Sequence, residues 1–258
     1  MGTDGEDWTD PHLTSRYVKR FWILAAVPLI TALLNVGDLQ AMARERHLSI
    51  TASFPVYRYD LWSFIDPPQH DGLYVAVPVV WPDSFALVVP LMVGYVVLSG
   101  ILSAGYFGSI AEGITTGTFD FFANVRRFAP RMIVLEVIVL VILVVIFVPL
   151  LVFPPLFVVM IFAMLIAAYF LFPTVYVMVL EDRGIESAAR RAHQLVIDDG
   201  PVGFFLTLVG ATILCSIPLS LLASSGLGGA LMAAMIAALL GLAFNVATML
   251  KVGSMAKL

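Results

Sequence analysis

Glu136 is the one ionisable side chain set well inside an apolar run of this chain. Charge is costly in hydrocarbon, so such a residue is the first place to look for chemistry. It lies five residues beyond Arg131, roughly 8 Å deep by helical rise, where water and headgroups remain within reach. Two roles fit it: a carboxylate satisfied by Arg127, Arg131 or a helix of the other candidate repeat unit, 156–223, or a coupling or proton-transfer site. Glu112 and Asp120 cap the end of the preceding apolar run. Glu136, Arg131 and Glu112 together make the candidate intramembrane polar site. Asn35 and Asn245 are placed to bond between helices, and none of these residues alone makes a transport pathway.

Other chemistry lacks its pattern. His47, Asp66, His70 and Asp71 share a loop but no recognisable ligand spacing, so no metal site is expected. There is no Walker or dinucleotide glycine loop. Cys215, the single cysteine, sits in an apolar run with no histidine near it in sequence, and it cannot form an intrachain disulfide. A basic surface interleaved with aromatics is missing as well, so no nucleic-acid partner is expected. The expectation is a non-enzymatic chain without cofactor or metal.

The elements that must position these residues follow from composition. Hydrophobic residues make up 60% of the 258 and charged ones 12%, with a mean hydropathy of +0.98, far outside soluble norms. The chain is read as an all-α integral membrane protein. Apolar runs long enough to cross about 30 Å of hydrocarbon occur at 21–38, 85–110, 132–153, 156–180, 202–223 and 227–250, which predicts six transmembrane helices. Arg16, Lys19, Arg20, Arg126, Arg127, Arg131, Arg183, Arg190, Arg191, Lys251 and Lys257 all fall on one side of that arrangement, against Arg44, Arg46 and Arg58 on the other. The positive-inside rule then puts both termini in the cytoplasm and the protein, as a multi-pass chain, in the cell membrane. Residues 1–20 are a cytoplasmic tail and 21–258 a single membrane domain. A rival reading takes Arg16–Arg20, the apolar run and "AMA" at 41–43 as a cleaved secretory signal; the acidic Asp4, Glu6, Asp7 and Asp10 speak against it.

Between the first two spans, residues 39–84 form an extracytoplasmic loop. "HLSITASFPVYRYDLW" and "GLYVAVPVVW" are rich in β-branched and aromatic residues and flank "IDPPQHDG", a dense turn signal, which predicts a β-hairpin. Tyr57, Tyr59, Trp62, Tyr74 and Trp81 are its expected interfacial aromatics. On the other side, "GIESAARRAHQLV" places Ile185, Ala188, Ala189, Ala192, Leu195 and Val196 on one helical face, with Glu186, Arg190, Arg191 and Gln194 opposite. "TFDFFANVRRFAP" repeats the design, with Phe119, Phe121, Phe122, Val125, Phe128 and Ala129 as the apolar arc and Pro130 as its stop. Both are read as cytoplasmic amphipathic interfacial helices whose Arg126, Arg127, Arg190 and Arg191 contact anionic lipid headgroups. Span, basic helix, span therefore occurs twice, and 85–153 and 156–223 are candidate copies of one unit. Gly100, Ala104 and Gly108, and Ala230, Ala234 and Ala238 with Gly241, form small-residue rows that let helices approach closely.

The second unit, "YFLFPTVYVMVLEDRGIESAARRAHQLV" followed by "GFFLTLVG", resembles a prokaryotic multi-span group similar to the membrane domain of glycerophosphoryl diester phosphodiesterases. Pro173, Glu181, Glu186, Ala188, Arg190, Arg191 and Leu195 carry the likeness, which covers 85–225. It implies a helical bundle of accessory function. The namesake's catalytic domain has no counterpart here, so no phosphodiesterase activity is implied. The expected function is a membrane scaffold or accessory subunit that organises a protein partner, a second copy or lipids. A small-molecule or lipid transporter is the alternative.

Overall fold

The structure, a computed structural model, describes residues 11–34, 36–44, 48–51, 59–66, 85–152 and 156–257. All regular structure among them is helical: α1 (Pro11–Arg20), a 3-10 turn (Trp22–Ala25), α2 (Ala26–Leu33), α3 (Val36–Arg44), a 3-10 turn (Leu61–Ser63), α4 (Phe85–Thr116), α5 (Phe121–Val152), α6 (Leu156–Leu171), α7 (Thr174–Leu180), α8 (Ile185–Asp199), α9 (Val202–Ala223) and α10 (Leu227–Ala256). Among the described residues, Met92–Thr116, Val202–Ala223 and Leu227–Ala256 are long and apolar enough to cross a membrane. Trp22–Leu33 with Gly37–Arg44 makes a fourth if that bent pair is one span.

Four expectations change in detail. The run 21–38 is not one straight helix: Trp22–Leu33 and Gly37–Arg44 differ in direction by 81°, and the second piece continues into what was read as loop. The run 156–180 breaks at Phe172 and Pro173 into α6 and α7, where proline, with no N–H to give, opens the next helix. Pro130, expected to stop a separate interfacial helix, lies inside the continuous α5. Proline there costs a single backbone bond to the carbonyl four residues back, which the ends of membrane helices can satisfy with side chains or water. Finally, Leu61 and Trp62, expected in a strand, form a 3-10 turn. Asp60 accepts from the Trp62 N–H and its own N–H is bonded by Ser63, a capping box that gives the backbone an alternative to a ladder. Most of the hairpin segments, including all of 67–84, lies outside the described residues.

The chain packs as two compact units, Met1–Tyr95 with Val202–Lys251 and Val96–Pro201 with Val252–Leu258. The first has a core of Ala32, Leu39, Met42, Tyr59, Leu61, Phe64 and Ile65 against Leu219, Ala223 and the alanine row Ala230, Ala233, Ala234 and Ala237. Tyr59 is fully buried, its ring edge-on to Phe244 at 5.3 Å, where an interfacial position was expected. Gly241 makes room for it, since a side chain there would meet the Tyr59 backbone. Tyr57, Tyr74 and Trp81 lie outside the described residues.

In the second unit α4 packs on α5 through the small row read from the sequence. A methyl group on Gly100 would lie 2.8 Å from the Ile133 Cα, and one on Gly108 would lie 2.7 Å from the Asn124 Cβ. Phe107 meets Tyr176 of α7 edge-on at 5.6 Å. The amphipathic α8 packs on α6 and α7, and Ala188, Ala192, Leu195 and Val196 are buried there at 2% exposure or less. Its apolar face is thus covered by the chain itself.

Candidate functional site

The polar residues of the second unit converge where α4 ends, α5 begins and α7 turns into α8. The end of α4 is closed by Gly117 at a φ of 83°, whose N–H bonds the Gly113 carbonyl; glycine takes that left-handed position without steric cost. Three residues later Asp120 caps α5, its carboxylate accepting the Ala123 N–H at 3.0 Å. Glu112 ties the two helices together. Its Oε2 accepts the Asp120 N–H at 2.9 Å and the Asn124 amide at 2.6 Å, which agrees with the expectation that Glu112 and Asp120 work at this helix end.

On the facing turn, Leu180 ends α7 and the Arg183 N–H reaches back to the Met178 carbonyl at 3.1 Å. That is the Schellman closure, with Asp182 in the left-handed position at a φ of 50°. The carboxylate so presented receives two arginines, Arg127 Nη2 on Oδ2 at 2.7 Å and Arg131 Nη1 on Oδ1 at 2.6 Å. Arg131 also donates to the Arg183 carbonyl at 3.2 Å. The bond from Arg127, and next that from Arg131, hold the Asp182 carboxyl below its ordinary range. Next to it, the largely buried Glu181 carboxylate bonds Arg183 through Oε2, and its Oε1 lies 3.5 Å from Arg191 Nε.

Glu136 receives a hydrogen bond from Ser99 Oγ at 2.7 Å, joining α5 to α4. The candidate trio of Glu136, Arg131 and Glu112 is therefore divided: Arg131 serves Asp182, Glu136 bonds Ser99, and Glu112 caps α5. Of the four arginines assigned to headgroups, Arg126 is exposed and Arg190 carries an exposed i,i+4 pair with Glu186 at 2.5 Å. Arg127 and Arg191 turn instead to Asp182 and Glu181. His193 is exposed with its ring 5.0 Å from that of Phe170. Asp182 is the residue that sequence reasoning missed. The signal for it was "LEDRG", an acidic doublet at the point where an apolar run must turn.

Between these elements lies a crevice of about 220 Å³ lined by Glu112, Thr115, Thr116, Asn124, Arg127 and Asp182, with Phe128 and Val179 among its apolar walls. Among the described residues no group of three or more His, Cys, Asp or Glu could hold a metal ion. In comparison with known families, curated proteins and solved structures, nothing matches this chain.

Proposed function

We propose that the chain is a non-enzymatic, multi-pass membrane scaffold or accessory subunit with six spans and both termini in the cytoplasm. Two further spans would come from 132–153 and 156–180, whose apolar lengths suffice, and the sidedness rests on the 11-to-3 distribution of basic residues. The likeness of 85–225 to the phosphodiesterase membrane domains is in keeping with an accessory role. The observation that carries the reading is the way α8 is held. Its apolar face is sealed against α6 and α7, its entry turn is fastened by Asp182 to Arg127 and Arg131, and Arg190 and Gln194 are left exposed. A helix fixed this way offers a constant polar face to anionic headgroups or to a partner at the inner surface.

The test is lipid retention. Anionic lipid copurifying with the chain should fall several-fold in Arg126→Glu/Arg190→Glu and fall with added salt, since each basic residue near such a surface contributes about 1 kcal/mol. Retention equal to that of the unaltered chain rejects the lipid-organising role.

One observation favours transport as the second reading: Glu136 and Ser99 form a polar pair on apolar helices. In reconstituted vesicles, solute or proton flux that is abolished in Glu136→Gln would replace the scaffold reading with this one.

A further inference from the structure

The crevice at the end of α4 is better equipped with acceptors than its structural duties require. Glu112 uses Oε2 for Asp120 and Asn124, and among the described residues no lysine or arginine pairs with it. The hydroxyls of Thr115 and Thr116 donate to backbone carbonyls of the last turn, and since Thr116 Oγ1 already accepts the Thr118 N–H at 3.4 Å, both lone pairs of Thr115 and one of Thr116 are left to accept. The last turn of α4 contains no basic residue, although the negative end of a helix dipole favours a cation. Arg127 does not fill that role, because its guanidinium is bonded to Asp182. Of the charged residues that line the crevice, two are carboxylates, Glu112 and Asp182, and one is a guanidinium, that of Arg127.

We propose that this crevice binds a primary ammonium group, with Glu112 as its counter-ion and the Thr115 and Thr116 hydroxyls as further acceptors. An ammonium with N–H bonds suits such a lining. A quaternary one would ask for an aromatic cage, and Phe128 is a single ring. A volume of about 220 Å³ equals roughly seven waters at about 30 Å³ each, enough for a small amine or an amino-lipid headgroup and too little for a drug-sized ligand, which needs about 300 Å³ or more. The lipid as source rests on the reading above that this edge of the bundle lies at headgroup level; a free amine does not.

Two binding measurements on the full chain separate the sources. In detergent, calorimetry compares ethanolamine with choline. Native mass spectrometry then counts lipid adducts from equal amounts of phosphatidylethanolamine and phosphatidylcholine. The primary ammonium should be preferred at least tenfold in one or both. Glu112→Gln should abolish the preference while the exposed Asp198→Asn keeps it. Should Glu112→Gln fail to fold, Thr116→Val, which leaves the Asp120 and Asn124 bonds in place, should lower the preference several-fold. Preference for the lipid alone identifies the headgroup as ligand. Preference for free ethanolamine alone supports the site and overturns its placement at the headgroup layer. Equal binding of primary and quaternary ammonium, or an unchanged preference in a folded Glu112→Gln or Thr116→Val variant, overturns the proposal. The scaffold reading would survive that failure, because its test turns on Arg126 and Arg190.

Discussion

Asp182 occupies a backbone conformation that its side chain makes expensive. At the left-handed position after a helix, glycine is usual, and a side chain with a β-carbon costs about 1 kcal/mol. Keeping a carboxylate there is explained by its two arginines. Asp182→Asn retains a residue that tolerates the conformation but removes the charge, whereas Asp182→Gly relieves the backbone and removes the carboxylate. The carboxylate is 42% exposed, so solvent screening holds each pair to about 1 kcal/mol at most. Asp182→Asn should therefore melt below the unaltered protein and Asp182→Gly close to it. Both should show faster hydrogen exchange across residues 181–185. An Asp182→Asn variant that melts and exchanges like the parent would show that the arginines do not secure the turn. The sign of the pH effect follows from the lowered carboxyl. A group whose native value is depressed stabilises fully above its unfolded value, near 4, and loses that stabilisation as pH falls through the native value. Melting temperatures of the parent and Asp182→Asn should differ at pH 7 and converge below about pH 4.

Helix pairing in the second unit depends on glycine at the contact. Alanine is the better helix former by about 1 kcal/mol, so a glycine-to-alanine change in open space stabilises. Gly210 in α9 meets nothing within 4 Å of a new methyl group, whereas Gly100 meets the Ile133 backbone at 2.8 Å. Overpacking typically costs about 1–3 kcal/mol, which exceeds the propensity gain. Gly210→Ala should raise the melting temperature slightly or leave it unchanged, and Gly100→Ala should lower it; a rise in Gly100→Ala would mean that α4 and α5 do not touch through this row. The row was legible because small residues at four-residue spacing have a direct packing meaning, and α8 was legible because its apolar period is 3.6. What covers the apolar face of α8 was not legible. Periodicity reports that a face is buried without saying whether lipid or protein buries it, and here α6 and α7 do. Pro130 misled for a related reason: a stop signal is local, whereas the apolar length that carries α5 through it is not.

Across the whole chain, apolar length and the sorting of charge indicate a helical membrane protein, and three or four helices of the described structure have the required length and composition. The partners of individual charges were hidden, since sequence proximity suggested Arg131 for Glu136, while folding brings Ser99 to Glu136 and Asp182, 51 positions away, to Arg131. Sidedness depends on neither set of contacts. It rests on 11 of 14 basic residues falling on one side of six proposed spans, and it makes a prediction that can be read without a structure. In a Cys215→Ser background, a cysteine at position 70 and one at position 194 should lie on opposite faces. A membrane-impermeant maleimide added to intact cells should label the first and spare the second, and permeabilised cells should label both. Gln194 is exposed on α8, so its silence in intact cells would report the membrane and not burial. Labelling of both positions from outside would put an even number of crossings between them, in conflict with the three that the six-span reading requires, and labelling of position 194 alone would mean a reversed chain, in conflict with the charge asymmetry. Either result would also remove the inner-surface setting on which the lipid role of Arg126 and Arg190 depends.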